Sequence, residues 1–221
     1  MDVSVLMGAN LANEVAAGNF SESTIGYASE SSGRLLQSVF NDAMFQVSTV
    51  NDIPGVEVCG AIKNTVALGC GFIDGLGSSD NTKAAIIRIG LMEMKKFIQE
   101  HFPKVKDSTF FESCGVADLI VTCYGGRNRK CAEAFVRAKG TKTFEDIEAE
   151  LLNGQKVQGV GTCEEVMSII KKAGKEADYP LLTGIYKICF EGAAPESMVD
   201  ALATAHGKAD PFRSLIPTAV M

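Results

Sequence analysis

Lys63 and Asn64 stand in the middle of the most apolar stretch of this chain, which runs from Val56 to about Leu76. An unpaired ammonium is expensive to bury. It must snorkel to water, pair with a carboxylate or shed its proton. A lysine held in this way is a workable proton donor or acceptor near neutrality. The alternative is a plain ion pair, or a helix edge that faces water. Asp118, inside the apolar run from Ser113 to Thr122, has the complementary problem, and Lys63 is a suitable partner for it. Thr122 falls one helical turn later on the same face. The alternative for Asp118 is an N-cap or a structural hydrogen bond.

A second feature is Tyr124-Gly125-Gly126-Arg127-Asn128-Arg129-Lys130, where two glycines open a helix whose first turn carries three basic residues. That inverts the usual preference, because the positive end of a helix dipole favours acidic side chains. Unsatisfied N–H groups, the dipole and fixed cations together make an anion site suited to a phosphate. The alternative is a basic surface turn. The segment from Leu152 to Gly159 is polar and bounded by glycines. Lys156 and Gln158 share a face if it is extended, although by itself it reads as an ordinary exposed loop. Met92 and Met94 read as core packing. Asp74 reads as a cap or the end of its helix. The glycines around it do not form a phosphate loop, since they follow a helix rather than a strand.

These residues need a scaffold. Val3 to Met7, Ser23 to Ala28 and Phe45 to Val50 have the composition or period-2 alternation of strands. A helical patch, Leu35 to Phe40, lies between the last two, with Ser31 or Ser32 as its cap. Strand, helix, strand is an α/β pattern with few strands, so residues 1–52 are expected to be the end of a larger sheet. After Pro54 the pattern becomes helical. Val56 to Leu76 is apolar on nearly every side and should be buried all round. Ser79-Asp80-Asn81 caps a helix that continues through Ala84, Ile87, Leu91, Met94 and Ile98 and stops at Pro103. Further helices are expected at Ser113–Thr122, Arg127–Ala138, Thr143–Leu152, Thr162–Ala173, Pro180–Phe190 and Pro195–Ala205, with Gly140, Gly154, Gly174, Gly192 and Gly207 as stops. Residues 210–221 show no period and are expected to be mobile.

Composition narrows the class. The chain has 221 residues, 46% hydrophobic and 22% charged, which is enough for a substantial core in one domain, or in one domain and part of another. A formal charge of −6 with no basic cluster argues against a nucleic-acid partner. The longest uncharged apolar stretch, Thr65 to Ile73, is short of the ~20 residues a membrane span needs, and no secretory signal is visible at Met1. Seven cysteines, none spaced as CxxC, suit reduced, buried thiols in a cytosolic compartment. Two histidines, His101 and His206, are too few for a histidine metal site or a Ser-His triad, so no metal is expected and both are placed on the surface.

Taken together, several stretches resemble NAD-dependent glycerol-3-phosphate dehydrogenase of the eukaryotic cytosolic type. They are Val5-Leu6-Met7-Gly8-Ala9-Asn10, Val58-Cys59-Gly60-Ala61-Ile62-Lys63-Asn64, Asp80-Asn81-Thr82-Lys83, Glu112 to Leu119, Cys123 to Arg129 and Leu152 to Gly159. The resemblance covers most of the chain up to about Glu191. It implies a mainly α fold. Residues 53–221 would form a multi-helix substrate-binding domain, similar to the C-terminal domain of 6-phosphogluconate dehydrogenase. Residues 1–52 would be an α/β remnant of a Rossmann sheet. It implies reversible reduction of dihydroxyacetone phosphate to sn-glycerol 3-phosphate with NAD as cofactor, in a cytoplasmic homodimer with no nucleic-acid or membrane partner. Lys63 would be the catalytic acid/base, with Asp118 holding and tuning it. Asn64, Thr122, Arg127 and Asn128 would bind substrate, and Arg127, Lys156 and Gln158 would lie on the cofactor side.

One departure is large. No G-x-G-x-x-G follows any of the strand candidates, and a second lysine that the family supplies from its nucleotide domain has no counterpart. The chain is therefore expected to be a C-terminal portion with little or no turnover alone. NADH oxidation at about 1–10³ s⁻¹ with dihydroxyacetone phosphate would contradict that. Two other readings stay open: a non-catalytic helical binding or dimerisation module, with Lys63 and Asp118 as a structural pair, and an oxidoreductase of related architecture acting on a hydroxy acid.

Overall fold

The computed structural model describes residues 2–153 and 155–209, so the expectations for Gly154 and for 210–221 lie outside the described residues. The fold is mainly helical, with a small sheet at the N-terminal end. Strands β1 (Val5–Met7), β2 (Ser21–Gly26) and β3 (Phe45–Val50) lie in that order. β1 runs antiparallel to β2, and β2 parallel to β3. Helix α1 (Ala12–Ala16) joins the first two and α2 (Glu30–Phe40) makes the parallel crossover. β2 begins and ends two residues earlier than its composition suggests, because pairing with β3 from Ser21↔Phe45 to Gly26↔Val50 sets its length. The cap of α2 is Ser29, not Ser31 or Ser32. The sequence offers three serines there, and the Asp2 carboxylate accepts from the hydroxyls of Ser29 and Ser32, which holds the start one turn earlier.

Helix α3 (Ile53–Gly75) starts cleanly because the Asp52 carboxylate accepts the Gly55 N–H at 2.9 Å and Pro54 falls in the first turn. It is the axis of the molecule: α4, α5, α6, α8 and α9, together with β1 and β2, pack against it. By length and hydropathy it could cross a bilayer, but 72% of its apolar window is buried inside the protein. It is not buried all round. The run 64–73 is, whereas Glu57 and Ala61 are exposed and Lys63 is half-buried. Of these, Lys63 lines the cleft described below.

Around α3 lie α4 (Asp80–His101, capped by Ser79), a π-helical turn at Ser113–Ala117 continuing into α5 (Asp118–Gly125), and α6 (Arg127–Arg137). They are followed by α7 (Phe144–Leu152), α8 (Gln158–Lys172), α9 (Pro180–Phe190) and α10 (Met198–Ala209). Gly140, Gly174 and Gly192 take the positive φ of a helix stop, and Asn153 does so after α7. Gly207 is no stop, since α10 continues through it. Met94 is fully buried as expected, but Met92 is 47% exposed, because it falls on the outer face of α4. Small residues let helices close on α3: a Cβ on Gly71 would come within 2.3 Å of the Arg129 carbonyl oxygen. The core between them includes Phe72, Phe110, Leu119 and Met94, all essentially inaccessible. Each such side chain contributes about 1.5–3 kcal/mol of transfer free energy.

Candidate active site

A cleft of about 640 Å³ opens where the α3 side at Gly60 and Lys63 meets the first turns of α6 and α8 and the β1–α1 loop. Lys63, Asn64, Asp118, Thr122, Arg127, Asn128, Lys156 and Gln158 all line it. They come from α3, α5, α6 and the start of α8, so closure of those helices on α3 is what assembles them.

Lys63 Nζ is ion-paired with Asp118 Oδ2, and the lysine side chain keeps 15% exposure against 4% for the aspartate. Asp118 stands at the junction of the π-helical turn and α5 rather than within an unbroken helix. The wider π turn sets the direction in which it projects. The Thr122 hydroxyl donates to Asp118 Oδ1 at 3.3 Å. Burial pushes the Asp118 carboxyl above the usual carboxylate range, and Lys63 and Thr122 pull the other way. An ammonium with one N–H held by a carboxylate retains two more for an incoming oxygen.

The start of α6 is capped by Gly126, which offers no side-chain acceptor. Arg127 extends into solvent and donates to Gln155 Oε1 at 2.6 Å. The three basic residues of that first turn do not act together. Arg127 and Lys130 line the cleft, but Arg129 points away and binds Asp74 at 2.8 Å and Glu133 at 2.7 Å. A helix turns 100° per residue, so Arg129, two residues after Arg127, falls on a different face, whereas Lys130, three after it, returns to the same side. Asp74 lies at the end of α3 as expected, where its carbonyl accepts the closing N–H groups of Leu76 and Gly77, and its side chain does more. It accepts from both Arg129 and Lys83, and Lys83 lies over the Tyr124 ring.

The 155–159 segment is not an ordinary exposed loop: Val157 and Gly159 are buried. Glu148 holds it, accepting from Lys156 Nζ at 2.9 Å and from the Val157 N–H at 2.7 Å. Gln158 is the first helical residue of α8, so it does not alternate with Lys156 as an extended pair would. Sequence reasoning gives no role to Gln155 or Glu148, nor to Asn10 and the residues after it that line the cleft from the sheet side. The glycine after β1 followed by Asn10 was the available signal for the last group.

Among the described residues the cysteines are all free thiols, and all but Cys189 are buried. Burial raises the Cys59 and Cys163 thiols, and pushes Cys114 and Cys189 up to about 12, so they pack as neutral groups. His101 is exposed on α4, stacked on Phe97 at 4.4 Å.

A family model described as the C-terminus of NAD-dependent glycerol-3-phosphate dehydrogenase matches residues 52–200. The protein named "Glycerol-3-phosphate dehydrogenase (NAD(+)), cytoplasmic" from Drosophila virilis is 57% identical over 198 residues, which is 90% of this chain and 56% of that protein. "Glycerol-3-phosphate dehydrogenase (NAD(+)) 1, chloroplastic" from Arabidopsis thaliana is 52% identical over 196 residues, covering 88% and 49%. Among solved structures, DsGPDH of Dunaliella salina superposes with a TM-score of 0.87 at 47% identity, over 91% of this chain and 35% of that one. The Plasmodium falciparum glycerol-3-phosphate dehydrogenase gives 0.87 at 42%, over 91% and 56%. The chain spans about half the length of the curated relatives it matches.

Proposed function

This chain belongs to the NAD-dependent glycerol-3-phosphate dehydrogenase family, and from that premise we propose that it carries the proton-handling and phosphate-binding machinery for interconverting dihydroxyacetone phosphate and sn-glycerol 3-phosphate. The observation that supports this most is the common cleft: a lysine–aspartate pair and a basic, uncapped helix start open into the same space.

Reduction of a ketone needs a hydride at carbon and a proton at oxygen. Lys63 supplies the proton: its ammonium donates to the carbonyl oxygen as negative charge develops there, and the resulting amine recovers the proton in the reverse direction. Asp118 holds the ammonium in place and stabilises its charged form. Arg127, with Asn64 and Asn128, grips the phosphate at the start of α6, where dipole and guanidinium act together. Thr122, one turn from Asp118, borders the carbonyl end. Bound at this cleft, NADH would supply the hydride. The donor set at the mouth, Arg127, Lys156 and Gln158, suits an anionic dinucleotide: two cations and an amide stand around an open rim, with Lys156 74% exposed.

We place the boundary between a nucleotide-side α/β unit, 1–52, and a helical substrate domain, 53–221. The capped start of α3 at Asp52 and the family match from residue 52 support it. The cytoplasmic names of several relatives favour a cytoplasmic enzyme, and a homodimer is the assembly we expect. Calorimetric titration with glycerol 3-phosphate tests the site. The unmodified chain should bind it and Arg127→Ala should bind it much more weakly. Heat in neither would overturn the proposal. Light scattering at micromolar concentration tests the dimer.

A further inference from the structure

Helices α6 and α8 both begin at the cleft, and their first turns are finished in opposite ways. No side chain caps α6. The start of α8 is taken up from outside. Glu148 accepts the Val157 N–H, and Asn128 Oδ1 accepts the Gly159 N–H at 2.8 Å. The second of these bonds has a consequence for the site itself. A carboxamide is nearly symmetric in shape, so only its partners decide which end is oxygen and which is nitrogen. A backbone N–H can only donate. Gly159 therefore fixes the oxygen of Asn128, which turns the Asn128 amino group toward Asn64 Oδ1, at 2.8 Å. That in turn commits the Asn64 oxygen, and Asn64 Nδ2 donates to the Gly60 carbonyl at 3.2 Å. Both amide oxygens are used inside the protein, and both residues are buried at the cleft wall. Each amide oxygen thus has an internal donor, and each amide nitrogen retains a second N–H.

We infer that Gly159 is a positioning residue: its backbone N–H polarises the Asn128–Asn64 pair so that each amide oxygen is engaged inward and each amide nitrogen keeps an N–H for the oxygens of a phosphate group, which favours a phosphate ester over its unphosphorylated counterpart. This rests on the phosphate-binding role proposed for the two asparagines and adds what orients them. The position demands glycine. A Cβ there would lie 2.5 Å from the Asn64 carbonyl oxygen and 2.8 Å from Asn128 Oδ1, and backbone cannot move aside cheaply. The Gly159 carbonyl is engaged too, accepting from the Thr65 hydroxyl at 3.2 Å, so both of its backbone groups are fixed. Gly161, two residues on in the same helix, has nothing within 4 Å of such a Cβ and makes a matched control.

The test uses Gly159→Ala, Gly161→Ala and Asn128→Asp, each read in two ways. The first is the exchange protection of the Asn64 and Asn128 side-chain amides by nitrogen-15 NMR without ligand. The second is calorimetric titration with glycerol 3-phosphate against glycerol. In the unmodified protein and in Gly161→Ala the amides should be protected and the phosphate ester preferred. Gly159→Ala should keep its helical circular dichroism, lose that protection and bind glycerol 3-phosphate about tenfold or more weakly, a loss of roughly 1.4 kcal/mol. Asn128→Asp keeps the acceptor for Gly159 but has no donor. It should bind no phosphate ester, and it decides the matter if Gly159→Ala does not fold. Tight glycerol 3-phosphate binding by either variant, or unprotected amides in the unmodified protein, overturns the inference. Protected amides that depend on Gly159, with no phosphate binding in any form, would uphold the orienting role and sink the substrate assignment instead.

Discussion

Two buried lysine–aspartate pairs flank α3, and they are built for different ends. Lys63–Asp118 joins α3 to α5, with Thr122 as the further neighbour of its carboxylate, and lines the cleft. Lys83–Asp74 joins α4 to the far end of α3 at 2.7 Å, inside a cluster with Arg129, Glu133 and the Tyr124 ring. The second pair is crowded: one carboxylate oxygen serves two cations, and the ammonium has an aromatic face beneath it. Such a cluster fixes helices, and neither Lys83 nor Asp74 lines the cleft. The first is sparsely partnered and keeps donor capacity toward open space. The same residue types thus become a fastener or a reactive group according to how many neighbours satisfy them.

Four measurements break or sharpen that contrast. The largest effect should come from Lys63→Met, which removes the proton donor. Turnover with NADH and dihydroxyacetone phosphate in the active enzyme should fall about 10²–10⁴-fold, and the buried Asp118 carboxylate left unpaired should lower the thermal midpoint as well. Next is Asp74→Asn, which strands Lys83 and Arg129. Breaking a buried pair from one side costs about 3–5 kcal/mol, read as a lower midpoint in urea, while glycerol 3-phosphate binding survives. Loss of glycerol 3-phosphate binding in Asp74→Asn, with turnover kept in Lys63→Met, would show that the two pairs have been assigned the wrong way round. Arg127→Ala should weaken glycerol 3-phosphate binding by about 1.5–3 kcal/mol, the worth of a hydrogen bond to a charged group. Arg129→Ala should spare it. The smallest effect is expected for Thr122→Val, about 1 kcal/mol of stability, together with a rise in the Asp118 pKa seen by carbon-13 NMR of the carboxyl.

The pH dependence of stability follows from the same pair. Burial raises Asp118 in the folded state, so over the window between its unfolded and folded values the native protein holds more proton than the unfolded chain. Stability is therefore lost as pH rises through that window. Lys63 opposes the rise, so Lys63→Met should extend the window upward, which urea unfolding at a series of pH values would register.

Much of the site was legible before any coordinates. A lysine and an aspartate in apolar helices, and cations at a helix start, are conflicts between residue type and local environment, and such conflicts stand out in a one-dimensional reading. The glycine-bounded loop at 152–159 was less legible. Its composition says exposed, and only Glu148 and Asn128, reaching in from α7 and α6, show why Val157 and Gly159 are buried. Closeness in sequence groups Arg129 with Arg127, but the helical step turns Arg129 toward Asp74. Composition assigns Met92 to the core with Met94, but two residues of helix separate their faces and Met92 falls on the outside of α4.

What the chain determines by itself is short-range. Ser79 and Asp52 start helices, Gly140, Gly174 and Gly192 stop them, and the unbroken apolar run of α3 demands burial, because capping, φ preference and hydrophobic periodicity act within a few residues. What the tertiary structure decided is which polar group meets which. Lys63 finds Asp118 and Arg129 finds Asp74 across 55 positions, and Thr65 reaches Gly159 across 94. Those choices, and with them the direction in which each asparagine amide points, depend on the depth to which α5, α6 and α8 close on α3, a distance set by packing that no local pattern encodes.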